Sequence, residues 1–332
     1  MTTALQAEAL PDKGPQDGEK AKSMIELADL TMRYPGRTAL DGVSFDIRRG
    51  ELFGLLGPNG SGKSTLMRIL AGLLQPSDGS AQLDGLDVSK ETSAVRQRLG
   101  VAFQAPSLDG KLTVIENMRF QGMLFGISGR VLKDRVDELM TAFRISDRAK
   151  DRVESLSGGL KRRVELAKTL LHKPPVLLLD EPSTGLDPSA RQDFWSVLEA
   201  QRHEEELTIV VATHLMDEAE RCGRVALLDQ GKVVAVDQPE VMKNSMQHEV
   251  VTLETANPKQ LAEAILEKMK LTGLVNGGTV RFETSEGMAL VPKLLELFQS
   301  QVTAVRLGKP TLEDVFLART GRHLNEGEEV SQ

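Results

Sequence analysis

Gly57-Pro58-Asn59-Gly60-Ser61-Gly62-Lys63-Ser64, with Thr65 behind it, has the residue types and spacing of a phosphate cradle. Glycines let successive backbone N–H groups turn inward around an anion with no Cβ in the way. The helical pattern that follows, Leu66, Ile69, Leu70 and Leu73, adds the positive end of a helix dipole. In such a loop Lys63 reaches the β- and γ-phosphates of a nucleoside triphosphate, and the Ser64 hydroxyl ligates Mg²⁺. A glycine-rich turn arising by chance is the alternative. The apolar run Leu52 to Leu56 before the loop and the helical pattern after it argue against that.

Asp180 and Glu181 follow the apolar run Val176 to Leu179. A carboxylate at the end of a buried strand beside a phosphate loop can hold Mg²⁺ through water, which is the role read for Asp180. Glu181 points to the other side of the strand end, where it can polarise an attacking water. Taken alone, the pair is as easily a solvated strand cap. Leu156-Ser157-Gly158-Gly159-Leu160 opens a helix with Ser157 as its N-cap and apolar residues at 160, 164, 167 and 171 on one face. Alone it is a capped helix and nothing more. Tyr34, Gln104 after Leu99 to Phe103, Gly185-Leu186-Asp187, and His214 at the end of Thr208 to Thr213 are singly unremarked surface or packed residues.

These residues need elements to hold them. Leu52 to Leu56, Val176 to Leu179 and Thr208 to Thr213 read as strands buried on both faces, which implies a parallel α/β sheet. Loops at the carboxyl ends of those strands then carry the chemistry. A helix over about 189–203 serves as a crossover. Between about 105 and 160 the pattern is helical, in Met118 to Gly126 and Arg130 to Ile145, and predicts an inserted helical subdomain. Beyond residue 249 the order strand, helix, two strands about Asn276-Gly277-Gly278, helix, strand suggests a ferredoxin-like module to about residue 320. Residues 1–23 read as a disordered leader and 321–332 as a polar tail.

Composition narrows the classes. With 40% hydrophobic and 27% charged residues the chain is globular rather than fibrous or wholly disordered. A net charge of −7 does not suit a nucleic-acid coat. Tyr34 and Trp195 are the only residues of their types, and only Phe282 lies where an RNA-binding sheet would present aromatics, so no nucleic-acid partner is expected. Cys222 stands alone, which excludes an intrachain disulfide and fits a reducing compartment. No apolar run is long enough to cross a bilayer, so any work at a membrane goes through a partner.

In their order along the chain, these motifs resemble those of ATP-binding-cassette (ABC) transporter ATPases, over about residues 24–245. The resemblance implies a P-loop NTPase fold: a parallel core, an antiparallel β region and an inserted helical subdomain, within a cassette spanning 24–248. It implies that Tyr34 stacks on adenine and that Gly57 to Thr65 wrap the phosphates of ATP. Gln104 touches Mg²⁺ and the attacking water, beside the metal ligands Ser64 and Asp180. Ser157, Gly158 and Gly159 form the signature that covers the ATP of a second cassette, and Asp187 lies at that dimer contact. His214 senses the γ-phosphate and, with Glu181 and Gln104, serves hydrolysis. One departure is Leu160, where the family commonly has Gln.

Head-to-tail pairing of two cassettes, most simply a homodimer, follows from that resemblance, as do separate membrane-spanning permease subunits and a place on the cytoplasmic face of the membrane. Pro310 to Phe316 resembles the ends of drug-, antibiotic- and polysaccharide-export ATPases, which points to export. A soluble ABC ATPase acting on ribosomes or DNA is the alternative; a single cassette with no long coiled-coil insertion weighs against it. A non-hydrolysing scaffold is disfavoured because Lys63, Asp180, Glu181 and His214 are all present.

Overall fold

Strand β3 (Leu52–Leu56) is buried at every position and lies inside a six-stranded sheet. In a computed structural model that describes residues 23–105, 107–246 and 249–322, its neighbours are β8 (Thr208–Thr213) and β9 (Arg224–Asp229), both parallel to it. The sheet continues through β7 (Val176–Asp180) to β6 (Leu99–Ala102), and on its other side closes with β10 (Lys232–Asp237), antiparallel to β9. The expected leader, apart from Ser23, and residues 323–332 of the tail lie outside the described residues.

Alternation along these strands divides the interior into two cores. Phe53, Leu55, Leu178 and Val210 face a core shared with the phosphate-loop helix (Lys63–Leu70). An antiparallel sheet covers that core: β1 (Ser23–Tyr34), β2 (Arg37–Arg48), β4 (Asp78–Leu83) and β5 (Leu86–Asp87), in the order β2-β1-β4-β5. Leu52, Leu56, Leu177 and Ile209 face the other core, with Trp195 and Leu198 of the crossover helix Pro188–Glu205. A strand covered on both faces must be apolar throughout, which is why these runs stood out in the sequence.

The inserted helices Val114–Leu124, Gly129–Ala142 and Gly158–Thr169 pack onto that second core. The first starts earlier than apolar spacing suggests, because Thr113 and Glu116 form a reciprocal capping box at its N-terminus.

A third sheet holds β11 (Glu249–Glu254), β12 (Leu274–Asn276), β13 (Thr279–Thr284) and β14 (Ala304–Gly308), antiparallel throughout, in the order β12-β13-β11-β14. Helices Pro258–Met269 and Gly287–Phe298 cover it around a separate core that includes Val251, Leu261, Phe282 and Leu294. The last helix, Leu312–Thr320, does not belong to that core. Leu312, Val315 and Phe316 are buried in the cassette's second core with Met242. A module running to residue 320 therefore ends too late: sequence order cannot show that the chain leaves the small sheet and docks back.

Candidate active site

Residues 57–62 connect β3 to the phosphate-loop helix, and their backbone explains two of the glycines. Gly62 has φ +111°, and a Cβ there would meet the Ala39 carbonyl at 2.6 Å; at Gly57 a Cβ would meet the Leu228 carbonyl at 2.3 Å. Lys63 is 4% exposed, and its Nζ donates to the loop's own carbonyls, Gly57 O at 2.6 Å and Pro58 O at 2.9 Å. Burial pulls its ammonium below the usual lysine range, opposed by the charges of Glu181 and Asp180. Ser61 Oγ is buried and has no hydrogen-bond partner.

A buried ammonium resting on carbonyls and an orphaned hydroxyl in one short glycine-rich loop suit a triphosphate. Ser64 Oγ donates to Asp180 Oδ1 at 3.3 Å, which sets a hydroxyl and a carboxylate side by side as a hard, oxygen-rich corner fitting Mg²⁺. Asp180 is 5% exposed, and burial holds its carboxyl above the usual carboxylate range while the Ser64 bond acts the other way.

The ends of β6, β7 and β8 bring three more of the expected residues together. Glu181 Oε2 accepts from Gln104 Nε2 at 3.2 Å and from Thr184 Oγ1 at 3.4 Å, while Oε1 lies 3.2 Å from His214 Nδ1. The Glu181 backbone has φ +50°, a left-handed conformation that costs a non-glycine residue and concentrates at functional positions. Its amide is satisfied by Ala212 O at 2.8 Å. Gln104 here faces Glu181 rather than the Ser64–Asp180 corner.

Tyr34 ends β1 and pairs across the hairpin with Arg37, whose Nη2 donates to Gly60 O at 2.6 Å. This sets a partly exposed aromatic at the edge of the loop. Arg37 was not foreseen, since one arginine in a turn carries no signal by itself.

Ser157 caps its helix, accepting from Leu160 N at 3.4 Å, and Asp187 caps the next, accepting from Ala190 N at 2.9 Å. Both are exposed, and these bonds stay within their own helices. A Cβ on Gly158 would meet nothing within 4 Å. Space within this chain does not require that glycine; close approach by something outside the chain would.

Residues 40–184 match the family model described as ABC transporter. The chain is similar to the probable multidrug ABC transporter ATP-binding protein YbhF of Escherichia coli (strain K12), 40% identical over 227 residues, 68% of this chain. It spans only 39% of the length of that relative. Nod factor export ATP-binding protein I of Rhizobium meliloti is 36% identical, with 91% of this chain and 89% of that protein covered. Among solved structures, cbiO1 of Clostridium perfringens, part of an ABC transporter complex, superposes with a TM-score of 0.63 at 28% identity, over 75% of this chain and 96% of that one. A dimeric ATP-binding cassette in a post-hydrolysis state, bound to ADP and Pi, gives 0.60 at 28% identity, over 65% and 98%.

Proposed function

Because the chain belongs to the ABC transporter family, as an ATP-binding protein, we propose that it hydrolyses ATP to drive export through separate membrane-spanning subunits. The observation that carries this reading is the convergence of Gln104 and His214 on the Glu181 carboxylate, each within hydrogen-bond distance of it, at the ends of strands in the same sheet that presents the phosphate loop and the Ser64–Asp180 corner. The relative named for Nod factor export supports the direction of transport, beside one named as a probable multidrug ABC transporter ATP-binding protein.

ATP enters with its phosphates in the 57–62 loop, and Lys63 exchanges its two carbonyl contacts for the β- and γ-phosphates. The Ser61 hydroxyl gains the partner it lacks. Tyr34 supplies the face on which adenine stacks. Ser64 and Asp180 would hold Mg²⁺, which when bound would supply positive charge against the phosphates. Phosphoryl transfer to water asks the protein mainly to position the nucleophile and stabilise charge. Glu181 orients that water, Gln104 and His214 holding its carboxylate until the γ-phosphate draws His214 away. Ser157, Gly158 and Gly159 of a second copy close over the phosphates, where their helix N-terminus favours negative charge. Asp187 lies at that contact.

The membrane-spanning partner docks in the groove of about 690 Å³ beside the Gln104 loop, lined by Phe103, Leu112, Phe120, Leu124 and Phe125. Among the described residues no helix is long and apolar enough to cross a membrane, so that partner supplies the attachment to the cytoplasmic face.

Glu181→Gln tests the hydrolytic reading. The variant keeps every group that binds ATP and loses only the carboxylate that directs the water. It should bind ATP, turn over very slowly, and shift from monomer to dimer on size exclusion with ATP and Mg²⁺. Adding Ser157→Arg should abolish the shift. A Glu181→Gln protein that hydrolyses at the normal rate, or stays monomeric with ATP, removes the two-site mechanism. Gentle detergent extraction should bring down a membrane subunit; ribosomal proteins in its place would favour the soluble alternative.

A further inference from the structure

Arg162 sits one turn into the Gly158–Thr169 helix, 8% exposed, where the sequence shows only the middle of three basic residues. Its guanidinium reaches three carbonyls on two separate stretches of backbone. Nε donates to Pro182 O at 2.7 Å and Nη2 to Asp180 O at 3.4 Å, the carbonyls on either side of Glu181. Nη1 donates to Phe103 O, the carbonyl preceding Gln104, at 3.0 Å, and to Glu165 Oε2 at 2.5 Å. The residue between the first two carbonyls is the one with φ +50°. A strained backbone of that kind persists only where its surroundings over-determine it.

We propose that Arg162 is a positioning residue for the hydrolytic step: from the underside of the signature helix it holds the backbone of Glu181 and of Gln104 so that the Glu181 carboxylate, steadied by Gln104, meets the attacking water. This rests on the reading of Glu181 as the water-directing carboxylate. The same helix ties down the far end of the glutamine loop. Glu165, wholly buried, accepts from Ser107 N at 2.9 Å, and Lys168 Nζ donates to Ser107 O at 2.6 Å. Arg162 and Glu165 balance each other's charge, so a polar clasp runs along the buried side of the helix beside Val164 and Leu166. Ser157 to Gly159 lie at the start of that helix. The clasp therefore links the start of that helix directly to the backbone of Glu181 and to that before Gln104. A lysine at 162 has one nitrogen and cannot serve carbonyls that diverge from a planar fork.

The test uses the full chain with two variants. Arg162→Lys keeps the charge, and Arg162→Met with Glu165→Gln removes both charges without stranding either. In each, ATP affinity and KM should stay within about twofold, while kcat falls roughly 10–100-fold, the scale of a misplaced reacting group. Without nucleotide, amide exchange in residues 181–184 should quicken. Added to Glu181→Gln, either change should slow hydrolysis no further, because Arg162 acts through that carboxylate.

A simple packing role predicts otherwise: ATP affinity lost together with kcat, and losses that add to those of Glu181→Gln. Either of those results overturns the proposal, as does an Arg162→Lys protein with normal kcat. If Glu181→Gln itself turns over normally, the function proposed above falls first. If Glu181→Gln is slow and Arg162→Lys is not, only the role of Arg162 is lost.

Discussion

Lys63 holds a buried positive charge against two carbonyls of its own loop, an arrangement that makes sense only if a stronger acceptor replaces them. Lys63→Ala should therefore abolish hydrolysis, read as phosphate release; normal turnover would remove the phosphate-loop assignment. Asp180 gives a prediction about pH. Burial raises its carboxyl pKa, so the ionised form is disfavoured in the ligand-free fold. That cost is absent below the unfolded value, near 3.8, and is complete above the raised folded value. Asp180→Asn should melt higher than the parent at pH 7 without nucleotide, and the gap should narrow as pH falls toward 4. A gap that does not change with pH would assign the difference to something other than ionisation. Tyr34→Ala should weaken ATP binding by about 1–3 kcal/mol in titration calorimetry, the range for base–aromatic stacking.

The Leu312–Thr320 helix shows how an element's place can differ from its position in the sequence. Thr311 caps it in a reciprocal box with Asp314, and Asp314 also pairs with Arg281 of β13. The helix is thus polar-linked to the small sheet and apolar-linked to the cassette. Phe316, with no exposed surface, should cost about 3–5 kcal/mol when cut to Ala. A truncation lacking 249–332 removes Leu312, Val315 and Phe316 from the cassette core. Deleting only 249–310 and closing the gap with a short glycine-serine linker retains them. The second protein should melt well above the first; equal melting temperatures would show that the helix adds nothing to the cassette.

At the scale of the whole molecule, the docking role proposed for the groove beside the glutamine loop separates catalysis from its use. Leu124 lines it and is 66% exposed, so its side chain contributes little to the fold. Leu124→Asp should leave the ATPase rate of the isolated protein close to normal while abolishing transport and co-purification of the membrane subunit. Equal loss of ATPase and transport would mean a folding defect rather than a lost docking face.

Contiguous motifs were legible because their residues stand side by side in the chain. Gly62 is dictated in part by its own backbone conformation, φ +111°, and the apolar runs of β3, β7 and β8 by burial on both faces. The carbonyls that crowd Gly57 and Gly62, those of Leu228 and Ala39, arrive from elsewhere in the chain. Local patterning likewise predicted the order of elements in the third sheet. Burial of a charged residue left no such mark. Arg162 lies between Lys161 and Arg163, and no periodicity separates it from them. Only the assembled fold surrounds it with carbonyls from residues 103, 180 and 182, contributed by two distant loops. The last helix is similar. Its apolar residues announce a buried face, but which of two cores receives that face depends on where the chain returns in space. Sequence determined which groups are present for the chemistry, and tertiary packing decided which backbone holds them in place.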